Sequence, residues 1–390
     1  MGYHYAVLGA GRQGTACAYD MIRFGDAESV VLADMSLESA RAAADRVNSL
    51  LSTDKAKAVR LDVTDAKALV STLVEIDAFL SAVPYYFNLD IARAAVQAGA
   101  SMCDLGGNTE LVREQLKLDS SAREAGISII PDCGQVPGLG TTLMVYAMSM
   151  LEEPEEVFMW DGGLPQNPRP PFGYLLTFNI AGLTNEYAEP PIFLRNGEPT
   201  LVPTMDELET IEFPPPVGPL EAFTTGGGVS TMPWTFEGRL KTLQNKTVRY
   251  PGHFAQLRAY YDLGLWRTDS VRVRSQEVVP RELFHALFEP MVTYREDKDV
   301  VVIRIRAKGR RNGQSAEVVL DLMDFYDEAT GFTAMERTTG WDAAIVAAMM
   351  VRDQTPRGAV PVEVAVPPRP FVQELSKRGI EVKVREINLT

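Results

Sequence analysis

Through the first third of the chain, short apolar runs alternate with longer amphipathic ones. Residues 5–8, 30–33, 59–61, 78–82, 102–105 and 127–130 read as strands. Residues 14–24, 36–51, 65–73, 89–97 and 111–125 carry apolar positions three and four apart and read as helices, with Ser36 as an N-cap and Gly99 and Gly126 as stops. The strands are apolar throughout, as expected where both faces are buried, and strands separated by helices of this length make βαβ units. The expected class is α/β, with a doubly wound parallel (Rossmann) sheet over residues 1–135.

After Pro131 the pattern changes. Prolines crowd residues 165–171 and 214–216, which predicts loops and short strands. Asn196-Gly197 and Asn312-Gly313 each separate two strand-like runs, and both residue types tolerate the positive φ of a tight hairpin. Helices are expected at 253–265, 281–292 and 341–352, a short helix at 371–377 and a strand at 380–387. Residues 136–340 therefore read as an α+β domain with a largely antiparallel sheet.

A length of 390 residues suits two domains. The net charge of −14 disfavours a nucleic-acid partner. Cys17, Cys103 and Cys133 are odd in number and far apart, which fits a reducing compartment and offers no disulfide or metal framework. No basic leader opens the chain, and the most apolar stretch, residues 343–351, is too short to span a bilayer. The expectation is a cytoplasmic protein with a small-molecule substrate, no metal and no membrane partner.

Gly9-Ala10-Gly11-Arg12-Gln13-Gly14 follows a strand and opens a helix, and Asp34 lies twenty residues beyond Gly14 at the end of the second strand. In that context the glycines admit a pyrophosphate to the backbone at a helix N-terminus, and the carboxylate binds ribose hydroxyls. Asp34 would repel a 2′-phosphate, so NAD is expected over NADP. Asp62-Val63 ends the third strand, where adenine would lie or where Asp62 would cap its own turn. Ala82-Val83-Pro84-Tyr85-Tyr86, Asp104-Leu105-Gly106-Gly107 and Asp132-Cys133-Gly134 end the next three strands and converge on one crevice. Each aspartate there is either a cap or a base. Arg249 could fork a carboxylate. His253 follows a Pro-Gly turn and is weighed equally as structural or catalytic. His4, His285 and the four tryptophans read as structural.

The motifs Gly9-x-Gly11-x-x-Gly14, Val83-Pro84-Tyr85, Asp104-Leu105-Gly106-Gly107, Pro131-Asp132-Cys133-Gly134-x-x-Pro137-Gly138, Gly162-Gly163-Leu164-Pro165 and Arg249-Tyr250-Pro251-Gly252-His253 together resemble the saccharopine dehydrogenase family. Arg195-Asn196-Gly197, Gly218-Pro219-Leu220-Glu221-Ala222-Phe223 and Gly226-Gly227-x-x-Ser230-Thr231 resemble its L-lysine 6-dehydrogenase branch. The resemblance implies a split Rossmann domain to which residues 341–390 return, a substrate domain over residues 136–340 whose sheet is mixed, and a homodimer. It implies that Val83 and Pro84, with Leu105 and Gly106, meet the cofactor, and that Tyr85, Asp104, Ser230, Thr231, Thr247 and Arg249 line the substrate pocket, with Tyr85, Asp104 or His253 as proton acceptor. The expected reaction is NAD-dependent oxidative deamination of the ε-amine of L-lysine. The alternatives are a saccharopine-type reaction on a secondary amine and an NAD sensor without catalysis.

Overall fold

The computed structural model describes residues 2–294 and 296–388. In chain order the first part runs β1 Tyr3–Leu8, α1 Arg12–Phe24, β2 Ala27–Asp34, α2 Leu37–Leu51, β3 Ala56–Arg60, α3 Ala66–Leu73, β4 Ala78–Ser81, α4 Asn88–Ala98, β5 Ser101–Asp104, α5 Thr109–Leu116, α6 Asp119–Glu124 and β6 Ser128–Ile130. These strands form a parallel sheet in the order β6-β5-β4-β1-β2-β3. The expected Ser36 cap holds, its hydroxyl accepting from the Ser39 amide, and Asp65, expected as the first helical residue, is itself the cap of α3, accepting from Lys67 and Ala68. The single helix expected over residues 111–125 is two, α5 and α6, parted at Lys117 and Leu118.

The second part continues α7 Leu139–Met148, β7 Glu153–Pro165, α8 Ile180–Ala188, β8 Ile192–Arg195, β9 Glu198–Leu201, β10 Glu209–Glu212, β11 Pro219–Phe223, α9 Met232–Thr235, β12 Thr242–Arg249, α10 His253–Leu263, β13 Val271–Val273, β14 Gln276–Val278, α11 Pro280–Val292, β15 Asp299–Arg311 and β16 Gln314–Phe325. Both Asn-Gly pairs close hairpins, β8–β9 and β15–β16, with positive φ at each Asn and Gly. The large sheet runs β10-β11-β12-β7-β15-β16, antiparallel except where β12 pairs with β7. One face of β7 and β15 packs Val157, Met159, Val301, Ile303 and Ile305 into the main core, which continues through α1 and α12 (Ala334–Val351). A separate aromatic core, including Phe172, Tyr174, Tyr187, Trp266, Phe284 and Phe288, joins α8, α10 and α11.

The end of the chain divides between the two sheets. α12 packs on α1 behind β4 and β5, and β17 (Gly358–Ala359) extends the parallel sheet beside β6. After α13 (Val362–Ala365) and α14 (Pro368–Lys377), β18 (Val382–Asn388) pairs with β16 of the large sheet. The return of residues 341–390 is thus to both units, because β16 offers a free edge that β18 covers. The helix expected from residue 341 starts at Ala334, where Thr333 and Glu336 form a capping box. No helix of the described residues is long and apolar enough to cross a membrane.

Candidate active site

The carboxyl ends of β1, β2, β4, β5 and β6 lie along one edge of the parallel sheet. At the first, the backbone approach is tight. A Cβ on Gly9 would stand 2.6 Å from the Ala82 carbonyl oxygen, and one on Gly14 would stand 2.0 Å from that of Gly9. A Cβ on Gly11 would meet nothing within 4 Å. Gly9 and Gly14 therefore serve the packing of turn, strand and helix, whereas Gly11 leaves an open face at the start of α1, whose N-cap carries no side-chain bond. Asp34 accepts from the amides of Ala10 and Ser36, both at 2.9 Å, which fixes its carboxylate beside the turn. An open glycine, uncapped helix amides and an oriented carboxylate together fit a pyridine dinucleotide.

The neighbouring expected contacts vary in character. Arg12 pairs with Glu336 at 3.0 Å, tying the turn to α12. Gln13 has a buried side-chain oxygen without a partner, and its carbonyl lies against Gly340. Ala82 and Val83 are half-buried against the two cores flanking the sheet, and Val63 and Leu105 likewise. Pro84 begins a helical turn through Tyr85–Phe87, and the Tyr85 ring lies against Gly107. Asp62 is exposed and accepts from the amide and hydroxyl of Thr64, so it holds its own turn.

Asp104 departs from its expected role as base or substrate ligand. It is fully buried; one oxygen accepts from the Gly106 and Asp132 amides and the other from Gln115. Wholly inaccessible and held by two backbone amides, it shapes the Leu105–Gly107 turn. Asp132, at φ +64°, is pushed up to about 8 by burial and by the neighbouring Asp104 charge, against a hydrogen bond of 2.5 Å from Ser230. Thr231 and Thr235 donate to the buried Glu363. Ser230 and Thr231, expected on the substrate, thus join the two units through their hydroxyls.

A second array stands on the large sheet. Asp161 of β7 is buried and accepts from Asn245 at 2.6 Å and Gln135 at 3.3 Å. Burial pushes it up to about 7; the Glu186 charge adds to this, and Asn245, Arg249 and Gln135 oppose it. Gln135 follows Gly134, which stands against the Leu105 carbonyl, so Asp161 is joined by contact to the edge of the parallel sheet. Sequence reasoning missed Asp161 and Glu186. The available signal for the first was a carboxylate in an apolar strand immediately before Gly162-Gly163.

Arg249 of β12 is buried, as an α-carboxylate ligand requires, but it is already oriented. Its Nε donates to Tyr187 Oη at 2.7 Å, its Nη1 to the Val248 carbonyl, and its Nη2 lies 3.5 Å from Glu186. Thr247 donates to the same Glu186 at 2.7 Å. His253 Nδ1 lies 3.1 Å from the Phe172 carbonyl, which can only accept, so Nδ1 carries the proton and Nε2 accepts from Tyr187 Oη at 3.0 Å. Burial, and then the Arg249 charge, pull His253 down to about 3. Its place in the structure is that of a neutral positioning residue behind Tyr187 and Arg249, which corrects the catalytic reading.

The family models for the saccharopine dehydrogenase C-terminal domain and the saccharopine dehydrogenase NADP binding domain match residues 134–380 and 5–130. The chain is 23% identical over 308 residues to saccharopine dehydrogenase [NADP(+), L-glutamate-forming] of Saccharomyces cerevisiae, covering 76% of this chain and 66% of that one. It is 24% identical over 233 residues to the mitochondrial alpha-aminoadipic semialdehyde synthase of Mus musculus, covering 57% of this chain and 25% of that one. The matches therefore span two thirds or less of these relatives. The fold is shared with apo saccharopine dehydrogenase (L-Glu forming) from Saccharomyces cerevisiae, at a TM-score of 0.79, 18% identity and coverage of 99% and 100%.

Proposed function

The chain belongs to the saccharopine dehydrogenase family, and from that premise we propose that it is an NAD-dependent amino-acid dehydrogenase that oxidatively deaminates the ε-amine of L-lysine. The observation that carries this reading is the charge balance of the buried array: the Arg249 guanidinium stands with two carboxylates, Asp161 and Glu186. Such a site suits a substrate with one carboxylate and ammonium groups.

Lysine, water and the oxidised nucleotide give the semialdehyde, ammonia, the reduced nucleotide and a proton. When bound, the nicotinamide supplies the hydride acceptor. Gly11 and the amides opening α1 hold its pyrophosphate, and Asp34 holds the adenosine ribose and repels a 2′-phosphate, which supports NAD. Arg249 holds the distant α-carboxylate. Asp161, lifted to about 7, accepts the proton that the substrate ammonium must lose before it can react. Tyr85 and the Gln135 segment close the wall that excludes water.

The rival is a saccharopine-type reaction on a secondary amine, whose substrate carries further carboxylates and needs further cations. Arg195 is paired with Glu207, and Arg239 lies on the Phe236 ring, so neither is turned to that task. One observation favours the rival: Arg281 lies near Tyr85. The deciding assay supplies NAD or NADP with L-lysine or saccharopine and measures reduced nucleotide and ammonia together. Equal amounts of both from lysine and NAD support the proposal. Reduced nucleotide from saccharopine alone, without ammonia, rejects it.

A further inference from the structure

Tyr174 and Trp266 each leave a buried polar atom of the aromatic core without a hydrogen-bond partner among the described residues, and of the two it is Tyr174 that packs against Arg249. It is 3% exposed, and its hydroxyl is buried without a hydrogen-bond partner among the described residues. Buried hydroxyls are ordinarily bonded, and one left alone forfeits the water it had in the unfolded chain. Its surroundings are those of the buried array. The Arg249 guanidinium lies 5.3 Å from the Tyr174 ring centroid, and the centroid of the His253 ring is 5.3 Å from it as well. Burial pushes the Tyr174 hydroxyl up; the Arg249 charge opposes this and the Glu186 charge adds to it, which places both groups close by. Tyr187 and His253 satisfy one another, and the Tyr174 hydroxyl is a donor left over beside a guanidinium with unspent N–H groups.

We infer that Tyr174 is a substrate-binding residue: its hydroxyl and the Arg249 guanidinium together bind a carboxylate, and Glu186 beside them takes the adjacent ammonium, forming a subsite for the head of an α-amino acid. The choice of an amino acid rests on the function proposed above; the donor pair rests on the geometry alone. The subsite makes the head, and not the reacting end, the part of the ligand that Tyr174 reads. An amine without a carboxylate leaves the hydroxyl and the guanidinium unpaired and is rejected for that reason.

L-norleucine carries the same head as lysine and has no ε-amine to oxidise, so it tests the subsite apart from the reaction. Norleucinol, in which the carboxylate is an alcohol, is the matched control. Calorimetric titration of the full chain should show norleucine binding about tenfold or more tighter than norleucinol. Tyr174→Phe, which keeps the ring stacked on Arg249, should weaken norleucine about tenfold, leave norleucinol unchanged and leave nucleotide affinity unchanged. Equal affinity for norleucine and norleucinol in the parent protein overturns the proposal, as does a Tyr174→Phe protein that binds norleucine like the parent, or one that loses nucleotide and norleucine affinity in parallel. Norleucine bound as expected while lysine is not oxidised retains the subsite and rejects the reaction instead. Lysine oxidised by a protein that does not distinguish norleucine from norleucinol does the reverse.

Discussion

The glycine turn of the parallel sheet and the buried array of the large sheet are built from different materials. The first is backbone: Gly9, Gly11 and Gly14 lie within one turn, and Asp34 is held against it by the amides of Ala10 and Ser36. The buried array is side chains brought from afar. Asp161 comes from β7, Tyr174 from the loop before α8, Glu186 and Tyr187 from α8, Arg249 from β12 and His253 from α10. A wall of amides and missing Cβ atoms works through shape and fixed dipoles, with no shifted protonation needed. A wall of desolvated acids and a buried guanidinium works by changing which protons are held, and Asp161 at about 7 and His253 at about 3 are displaced in opposite senses by the same burial.

The contrast is broken most forcefully at Asp161. Asp161→Asn should lower kcat/KM by roughly 10²- to 10⁴-fold, the range for loss of a positioned acid or base, with nucleotide affinity unchanged by fluorescence titration. The sign of the pH dependence follows from the same group. Asp161 accepts a proton only when ionised, and its ionisation is raised to about 7. The parent kcat/KM should therefore climb with pH up to about 7 and level off above it, and the Asn variant should lack that limb. A limb that survives the substitution assigns the proton to another group.

Stability is the next largest effect, and it separates two glycines three residues apart. Gly14→Ala places a methyl 2.0 Å from the Gly9 carbonyl oxygen, which cannot yield without moving the turn. It should cost about 2–3 kcal/mol and lower the melting temperature by several degrees in calorimetry. Gly11→Ala meets no protein atom. Its melting temperature should match the parent, while nucleotide affinity falls about tenfold or more because the methyl stands where the pyrophosphate approaches. If both variants melt early, Gly11 serves the fold and not the ligand.

The smallest effect refines the nucleotide wall. Asp34→Ser should raise the NAD dissociation constant about tenfold and narrow the gap to NADP, read by titrating both nucleotides. NADP bound more tightly than NAD by the parent would overturn the ribose assignment.

Much of the first wall was legible because its residues are neighbours in sequence. Strand, glycine turn, helix and a later acid on the next strand form one local pattern whose spacing is set by the βαβ unit itself. The two Asn-Gly hairpins were legible for the same reason. The β7–β12 pairing was not, because it is parallel and joins residues more than 80 positions apart. Arg249 and His253 could be nominated, but the chain alone does not reveal that Tyr187 stands between them. That arrangement turns His253 from a candidate base into a neutral acceptor that orients its neighbour. Asp104 was nominated by its place at a strand end and Ser230 and Thr231 by the resemblance, and their partners Gln115, Asp132 and Glu363 lie elsewhere in the chain.

By itself the sequence determined the α/β class, the dinucleotide turn with Asp34 beside it, and the largely antiparallel character of the second sheet, since each depends on periodicity or spacing within a few dozen residues. Tertiary structure alone decided which carboxylates are free and which are spent, and it divided the chain terminus between the two sheets. Those outcomes depend on burial and on partners from distant elements, because a carboxylate's protonation and a hydroxyl's bonding are properties of the space around them and not of their place in the chain.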